Sequence, residues 1–223
     1  MKIAILCPTK DRPDQCRRMI ESVLKTSQRD NVVIYIGLSG NGYGYDFLKH
    51  YPCVKVLTAK DWTTAYTWNL LAEEAKKDAS IGFFMLGADD MVFSTPCWDM
   101  ALIKFGEDAV VVSFLDSRDS EGTPHPVMSR SFHEKLGYFT APIFLHWYVD
   151  TWLVAIAKAC GRFHHLKQYF LVHDKLSDKG TPDETHNDIR RRGWRERDKY
   201  TWDKCQHFLF CEQQRMLSEF LTS

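Results

Sequence analysis

The chain has no Cys-x-x-Cys pair, no long apolar run and no excess of charge of either sign. Its seven cysteines are an odd number, and their spacing argues against zinc knuckles, thioredoxin-like sites and a fully disulfide-paired secreted scaffold. No apolar stretch reaches the roughly 18 residues that a membrane-spanning helix needs. The first apolar segment meets Pro8 too soon to act as a secretory signal. We therefore expect a reducing, cytoplasmic location and no membrane segment.

The overall composition is that of a globular protein. Lys and Arg number 29 and Asp and Glu also number 29, so net charge does not point to a polyanionic partner. Apolar residues make up 44% and charged residues 26%, which excludes disorder, collagen and coiled coil. At 223 residues the chain can bury a full core, and a single domain is expected. Seven Trp residues offer flat faces for sugars or bases, although most aromatic residues are expected in the core.

Apolar runs alternate with helical patterns through the first half of the chain. The runs predict strands at residues 3–7, 32–36, 54–57, 81–86 and 109–115. Helical periodicity predicts one helix from Pro13, one over residues 62–78 with Asp61 as its N-cap, and one over residues 98–105. This alternation predicts right-handed βαβ units and an α/β fold, with a mostly parallel central sheet flanked by helices.

The second half is less regular. Residues 125–138 show no clean periodicity, residues 148–160 read as a helix, and residues 170–172 read as a strand that ends at His173. The polar stretch 174–188, with Gly180 and Pro182, predicts a mobile loop that closes over a substrate. Residues 190–223 predict a helical tail. Because no repeat or linker interrupts the chain, we expect one domain over residues 1–223.

Polar residues follow several predicted strands. Three such segments lie at predicted carboxyl ends of strands: Pro8-Thr9, the Gly-rich stretch 37–42 and Asp89-Asp90. Open α/β sheets bind ligands at these ends, so we expect the three segments to share one crevice. Adjacent carboxylates repel each other unless a cation lies beside them. Asp89-Asp90 therefore has two interpretations. In one the pair binds a divalent cation, with diphosphate oxygens as further ligands; in the other interpretation one of the two caps the next helix and the other is solvated. The sequence alone favours neither.

Two more residues are candidates for chemistry. Asp150 opens an aromatic-rich predicted helix, where a carboxylate can have a raised pKa and act as a general base. An acidic residue in a first helical turn is also favoured by the macrodipole, and spacing alone favours that interpretation. His173 could ligate a metal, although a lone histidine is more often simply a polar residue at a strand end.

Together these motifs resemble the family 2 glycosyltransferases with the GT-A fold, a Rossmann-like nucleotide-diphospho-sugar transferase fold, and especially short bacterial and phage-type members. The resemblance extends to about Asp188. Residues 5–12 resemble the first strand and its P-T-x-x-R turn, and residues 83–90 resemble the strand with the D-x-D-type metal motif. Ala65 and Asn69 are similar to an A-x-N element with wider spacing. Residues 148–152 resemble the region of the catalytic base, and Val172-His173 resembles the strand whose histidine joins the metal.

The resemblance implies metal-dependent, inverting transfer of a hexosyl or pentosyl group from a nucleoside-diphosphate sugar, with a UDP-sugar expected, to an acceptor hydroxyl. Asp150 would be the base, and Asp90 and His173 would bind Mn²⁺ or Mg²⁺. The residues implied to bind the nucleotide sugar are Pro8, Thr9, Arg12, Ser39, Asn41, Asn69 and Asp89. Those expected to face the acceptor are Arg130, Trp147, Tyr148 and Trp152. Residues 1–115 would form the nucleotide-sugar half, 116–188 the acceptor and catalytic half, and 189–223 a helical tail.

Two departures from the family pattern leave points open. Ser39-Gly40-Asn41 stands where the family usually has an Asp that reads the base, so the nucleotide is not specified. Ala88 occupies the place of the first carboxylate of the D-x-D motif, so Asp89 and Asp90 could exchange roles.

The acceptor is open between a glycan or polysaccharide, which is favoured, and a hydroxymethylated base in DNA. Residues 190–202 mix Arg with Trp and Tyr, a pattern typical of contacts to phosphates and stacked bases, and a DNA base would have to be flipped out. Two acidic residues interrupt the run, and such runs are usually solvated helix faces. The alternatives are a sugar-1-phosphate nucleotidyltransferase, whose Gly-rich first turn is absent here, and an inactive nucleotide-sugar-binding module.

Overall fold

Eight strands and eight α-helices make up the chain in the computed structural model, which describes residues 1–40, 42–58, 62–175 and 183–221. The strands are β1 (Lys2–Lys10), β2 (Val32–Ser39), β3 (Val54–Thr58), β4 (Ile81–Leu86), β5 (Met91–Phe93), β6 (Val111–Asp116), β7 (Val127–Ser129) and β8 (Phe163–His173). The helices are α1 (Pro13–Thr26), α2 (Thr64–Lys76), α3 (Trp98–Ile103), α4 (Arg130–Leu136), α5 (Val149–Ala159), α6 (Glu184–Arg191), α7 (Trp194–Lys204) and α8 (Gln206–Leu221).

All eight strands belong to one sheet in the order β3-β2-β1-β4-β7-β6-β8-β5. Strands β3, β2, β1 and β4 run parallel to one another, and β8 runs parallel to β6. Strand β7 is antiparallel to both of its neighbours, and β5 is antiparallel to β8. The sheet is therefore mixed but mostly parallel, which confirms the predicted fold class.

Alternate residues of the central strands serve two apolar cores on opposite faces of the sheet. In β1, Ala4 and Leu6 belong to a core that includes residues of α2, α4, α5 and α8. Ile3 and Ile5 belong to the other core, which includes residues of α1 and α3. Both sets are fully buried. A strand covered on both faces reads as a continuous apolar run rather than an alternating one, and this is why β1 was recognisable in the sequence.

A proline marks the start of α1, and a side-chain cap marks the start of α2. Pro13 is the first residue of α1, as predicted, since its missing N–H costs nothing there. Helix α2 begins at Thr64 rather than at residue 62, because the Oγ1 of Thr63 accepts a hydrogen bond from the backbone N–H of Tyr66 at 3.2 Å. Asp61, the predicted N-cap of that helix, lies outside the described residues.

The second half differs most from the sequence predictions. Strand β7 and helix α4 occupy the stretch without periodicity, and β8 begins at Phe163 rather than at residue 170. Helix α6 occupies the end of the predicted loop 174–188, so that part of the loop prediction is wrong. The Oδ1 of Asp183 caps α6 by accepting from the N–H of His186 at 3.1 Å. Gly180 and Pro182, with the rest of residues 176–182, lie outside the described residues. Closure of residues 174–188 over a substrate therefore stays a prediction.

The helical tail is confirmed, but it is divided. Gly193, with φ at 66°, separates α6 from α7, and Cys205 separates α7 from α8. Within the described parts of the chain, no helix is both long and apolar enough to cross a membrane. All seven cysteines are free thiols.

Candidate active site

The carboxyl ends of the central strands open into one cavity of about 370 Å³. The strand ends that were expected to share a crevice therefore do so. The residues selected from the sequence that line this cavity are Pro8, Thr9, Arg12, Ser39, Asp89, Asp90, Trp147, Tyr148, Asp150 and His173.

Asp89 is held by β1 and by the turn that follows it. The hydroxyl of Thr9 donates to Oδ2 of Asp89 at 2.7 Å, and a guanidinium N–H of Arg12 donates to Oδ1 at 3.1 Å. Tyr45 completes the turn, because its hydroxyl accepts from the N–H of Arg12 at 2.9 Å. Both carboxylate oxygens of Asp89 are thus bonded within the protein.

Arg12 also joins this side of the cavity to α6. Its Nη2 lies 2.5 Å from Oδ1 of Asp183 and 2.7 Å from Nδ1 of His186. Burial opposes the positive charge, but Asp89 and Asp183 outweigh burial and raise the pKa of Arg12 above its usual value. The guanidinium is therefore a permanent cation that links two ends of the chain.

Strand pairing brings Asp90 and His173 together. In the antiparallel pair β5–β8, Met91 lies opposite His173, and the N–H of Asp174 donates to the carbonyl of Asp90 at 2.5 Å. The Nε2 of His173 consequently lies 3.6 Å from Oδ2 of Asp90. Strand β6 adds Asp116, whose Oδ2 is 3.6 Å from Nδ1 of the same histidine.

His125, two residues before β7, lies beside Asp90 and His173. The N–H of Leu86 donates to the carbonyl of Pro126 at 2.9 Å, which sets the chain before β7 beside the end of β4. The Nδ1 of His125 lies 3.0 Å from the carbonyl oxygen of Leu86. One ligand atom each from Asp90, His125 and His173 lies within 4.8 Å of the others, a spacing compatible with one metal ion.

Opposite environments shift the pKa values of the two histidines in opposite directions. Burial lowers the pKa of His125, and the nearby His173 lowers it further. Burial alone would lower the pKa of His173 as well, but Asp116 and Asp90 outweigh it and raise that pKa to about 9. The same contact with His173 holds the pKa of Asp90 below its ordinary value despite burial.

Asp150 lies in the first turn of α5, on the cavity wall. Its Oδ1 accepts from the N–H and the hydroxyl of Thr151 at 2.7 and 3.3 Å, and none of the described residues donates to Oδ2. Burial raises the pKa of Asp150, and the charge of Asp119 raises it further. A half-buried carboxylate with one uncommitted oxygen and a raised pKa can accept a proton.

The wall beside Asp150 is held by the C-terminal helices. The carboxylate of Asp198 accepts from three successive backbone N–H groups, those of Leu145 at 2.9 Å and of His146 and Trp147 at 2.8 Å each. Trp202 stacks on Tyr148 with ring centroids 5.3 Å apart. The tail is thus a supporting layer of the cavity.

Three selected residues do not line the cavity. The side-chain amide of Asn69 bonds to Thr140 and to the main chain at residues 139–140. Arg130 donates to the carbonyls of Lys76, Asp78 and Ile81, where it ties the end of α2 to β4. Trp152 is 1% exposed and donates to the hydroxyl of Tyr138. Asn41 lies outside the described residues.

Sequence reasoning missed His125, Asp116, His146 and Asp198. Asp116 directly follows the predicted strand 109–115, so the strand-end rule that selected Asp89-Asp90 also applies to it. His125 has a weaker signal, since it stands between Pro124 and Pro126. No pattern marked His146, or Asp198 within its run of charges.

No family model and no curated protein matches the sequence, whereas solved structures match its fold. Mannosyltransferase PcManGT from Pyrobaculum calidifontis, in complex with GDP-Man and Mn²⁺, has a TM-score of 0.62 at 13% identity, covering 78% of this chain and 56% of that one. S. aureus TarS 1–349 has a TM-score of 0.58 at 12% identity, covering 76% and 60%. GalNAc-T7 with UDP, GalNAc and Mn²⁺ has a TM-score of 0.60 at 12% identity, covering 78% and 44%.

The chain spans 56% and 60% of the length of the first two chains and 44% of the third. At these identities the comparisons show the fold alone. The mixed, mostly parallel sheet flanked by helices is therefore that of the GT-A glycosyltransferases.

Proposed function

We propose that this chain transfers a sugar from a nucleoside-diphosphate sugar to an acceptor hydroxyl. The observation that carries the proposal is the meeting of two chemical elements in one cavity. One is the cluster of Asp90, His125 and His173, which is suited to a divalent cation. The other is Asp150, a carboxylate able to accept a proton, on the wall of the same cavity.

The nucleotide sugar binds along the side of the cavity formed by β1 and β2. Pro8, Thr9 and Ser39 line that side. Arg12 supplies a fixed positive charge, and its bond to Asp89 keeps that carboxylate oriented. Two matched structures carry GDP-Man and UDP with GalNAc, respectively, so the likeness supports a nucleotide sugar without selecting its base.

The residues present fit a divalent cation. The Nε2 of His125 is buried and has no hydrogen-bond partner within the described parts of the chain, as expected of an atom reserved for a ligand. A bound cation supplies charge neutralisation for the diphosphate leaving group. Asp90 and His173 would hold it. Because Thr9 and Arg12 already bond both oxygens of Asp89, we assign Asp89 the other role, contact with the nucleotide sugar.

Asp150 accepts the proton of the acceptor hydroxyl as the new glycosidic bond forms. An acceptor hydroxyl is a poor nucleophile near neutral pH, and a positioned base contributes about 10²–10⁴-fold to the rate. Direct attack at the anomeric carbon, with the diphosphate leaving on the opposite side, inverts the configuration there.

A glycan or polysaccharide is the acceptor we favour. Trp62, Trp147, Tyr148 and Trp194 give the cavity flat faces suited to sugar rings. Two aromatic residues of the tail are already engaged within the protein. Trp202 stacks on Tyr148, and Trp194 lines the cavity. The basic tail therefore lacks an exposed series of rings for stacked DNA bases.

Thermal unfolding with a panel of nucleoside diphosphates and nucleotide sugars, each with Mn²⁺ and with excess chelator, tests the donor side. A ligand that binds the folded state raises the midpoint by mass action. We expect one nucleotide family to raise it, and only with the metal. A chain that releases pyrophosphate from a nucleoside triphosphate and a sugar phosphate would instead be a nucleotidyltransferase, and one that binds donors without ever releasing diphosphate would be a binding module.

A further inference from the structure

We propose that His125 is a third protein ligand beside Asp90 and His173, and that the site consequently selects a transition-metal ion over Mg²⁺. This deepens the proposed function, on which it rests for the role of the metal in transfer. Its evidence is the geometry of the cluster itself.

The hydrogen bond from His125 to the main chain fixes which ring nitrogen can bind a metal. Its Nδ1 lies 3.0 Å from the carbonyl oxygen of Leu86, and because a carbonyl only accepts, Nδ1 carries the proton. Nε2 therefore presents a lone pair, and that atom is buried with no donor among the described residues. Metal-binding histidines commonly have this arrangement, with the other nitrogen donating to a carbonyl or carboxylate.

The backbone holds His125 in a costly conformation. Its φ is +53°, in the left-handed region that non-glycine residues rarely adopt. It stands between Pro124 and Pro126, and a residue before proline is further restricted. The side chain is 7% exposed, with its ring centroid 5.0 Å from that of His173. Such strain persists where the surrounding structure imposes it, often at functional sites.

Asp116 supports the second imidazole. The two ring nitrogens of His173 face different carboxylates, Nε2 towards Asp90 and Nδ1 towards Asp116, each at 3.6 Å. The carboxylate of Asp116 is completely buried. A carboxylate behind a metal-binding histidine orients the ring and increases its basicity. His173 is therefore positioned to present Nε2 to the ion that Asp90 binds.

This set of donors determines the class of ion. It comprises two imidazole nitrogens and one carboxylate, since Thr9 and Arg12 engage both oxygens of the adjacent Asp89. Mg²⁺ prefers oxygen ligands and keeps its waters, whereas imidazole suits Zn²⁺, Fe²⁺, Co²⁺ and similar ions. Affinity at such a site rises from Mn²⁺ through Co²⁺. We expect Co²⁺ to bind more tightly than Mn²⁺, and Mg²⁺ to bind least tightly.

Isothermal titration calorimetry of the chelator-treated chain with Co²⁺, Mn²⁺ and Mg²⁺, without nucleotide, tests the wild-type protein directly. The variant His125→Asn tests whether His125 is a ligand of the metal. Asn is among the residues that tolerate a left-handed backbone, and its amide N–H can replace the Nδ1 donor to Leu86, whereas no atom replaces Nε2. Removing even a residue that only orients a metal ligand costs about 10–100-fold in metal affinity, so we expect Co²⁺ affinity to fall by at least that much and Mg²⁺ affinity to change little.

The matched control is His133→Asn, which alters another buried histidine with unpartnered ring nitrogens, outside the metal cluster. It is expected to keep wild-type Co²⁺ affinity. Mg²⁺ binding as tight as Co²⁺ binding in the wild type overturns the proposal without any variant. Unchanged Co²⁺ affinity in His125→Asn, with folding verified by circular dichroism, also overturns it. Selective Co²⁺ binding in a chain that transfers no sugar supports this inference and contradicts only the proposed function.

Discussion

The carboxylate of Asp198 on α7 holds the backbone of Trp147 on the cavity wall, with Oδ2 accepting from its N–H at 2.8 Å. The same carboxylate also accepts from the backbone N–H groups of Leu145 and His146, and Asp198 has no exposed surface. These residues lead directly into α5 and Asp150. The geometry of this wall of the cavity therefore depends on α7, a helix close to the C-terminal end of the chain.

Asp198→Asn is expected to loosen this wall. Asn keeps one acceptor oxygen but turns an NH₂ group towards backbone donors, which leaves buried polar groups unsatisfied at about 1–3 kcal/mol. We predict lower stability in urea and a raised KM for the acceptor, with donor affinity retained. Asp203→Asn, at an exposed position on the same helix, is the control. Equal changes in acceptor KM and donor affinity would contradict a role in positioning the wall.

Arg12→Gln is expected to destabilise the chain strongly. It leaves Asp89 and Asp183 without their cation, and removing one partner of a buried ion pair costs about 3–5 kcal/mol. Unfolding in urea measures the loss, with the exposed Arg195→Gln as control. A double-mutant cycle with Asp183→Asn should show a coupling energy. Additive losses would mean that the Arg12–Asp183 contact contributes nothing to stability.

The parts of the fold visible in the sequence are those with a strong local signal. Strands β1, β2 and β4 were recognisable because burial on both faces makes them continuous apolar runs. Strand β8 was seen only at its end, because its exposed polar residues interrupt the pattern. The first part of helix α6, residues 184–188, falls in the predicted loop, since this polar segment close to Pro182 carries little apolar periodicity.

The site was predictable in part for the same reason. Asp89, Asp90 and His173 follow strands, and a rule about strand ends selects them without knowledge of strand order. His125 joins them only because β7 lies between β4 and β6 in the sheet, a long-range pairing that local patterns do not encode. Asp198 lies within a run of charges, where its burial depends on how α7 packs.

His133 should make the stability of the chain sensitive to acid. Burial, reinforced by the charge of Lys76, lowers the pKa of His133 to about 4, against 6.5 in the unfolded chain. Between these values the unfolded state binds the proton, so stability is complete above pH 6.5 and falls as pH decreases towards 4. At about 1.4 kcal/mol per pKa unit the loss is about 3 kcal/mol.

Urea unfolding of wild type and His133→Leu at several pH values tests this contribution. The variant should be less sensitive to acid over that range, whereas the exposed His207→Gln should behave as wild type does. Parallel pH profiles for wild type and His133→Leu would show that His133 does not titrate in this way.

Asp150→Asn tests the general base. The amide is close in size to the carboxylate but cannot accept the proton, so transfer should slow by about 10²–10⁴-fold with donor and metal affinity nearly unchanged. Single-turnover transfer measures the rate, and Asp46→Asn, at a side chain 95% exposed, is the control. Wild-type rates in folded Asp150→Asn would remove Asp150, and the inverting mechanism, from the proposal.

The proposed function requires that the cavity transfer a sugar from a nucleoside-diphosphate sugar with the help of Asp90. The most direct measurement is release of nucleoside diphosphate from a panel of nucleotide sugars, with Mn²⁺ and an array of oligosaccharides and hydroxymethylated DNA as acceptors. We predict release with one donor family, accompanied by a glycosylated acceptor of inverted configuration, and loss of both products in Asp90→Asn or excess chelator. Release that persists in Asp90→Asn, or no release with any donor by the folded wild type, would contradict the claim.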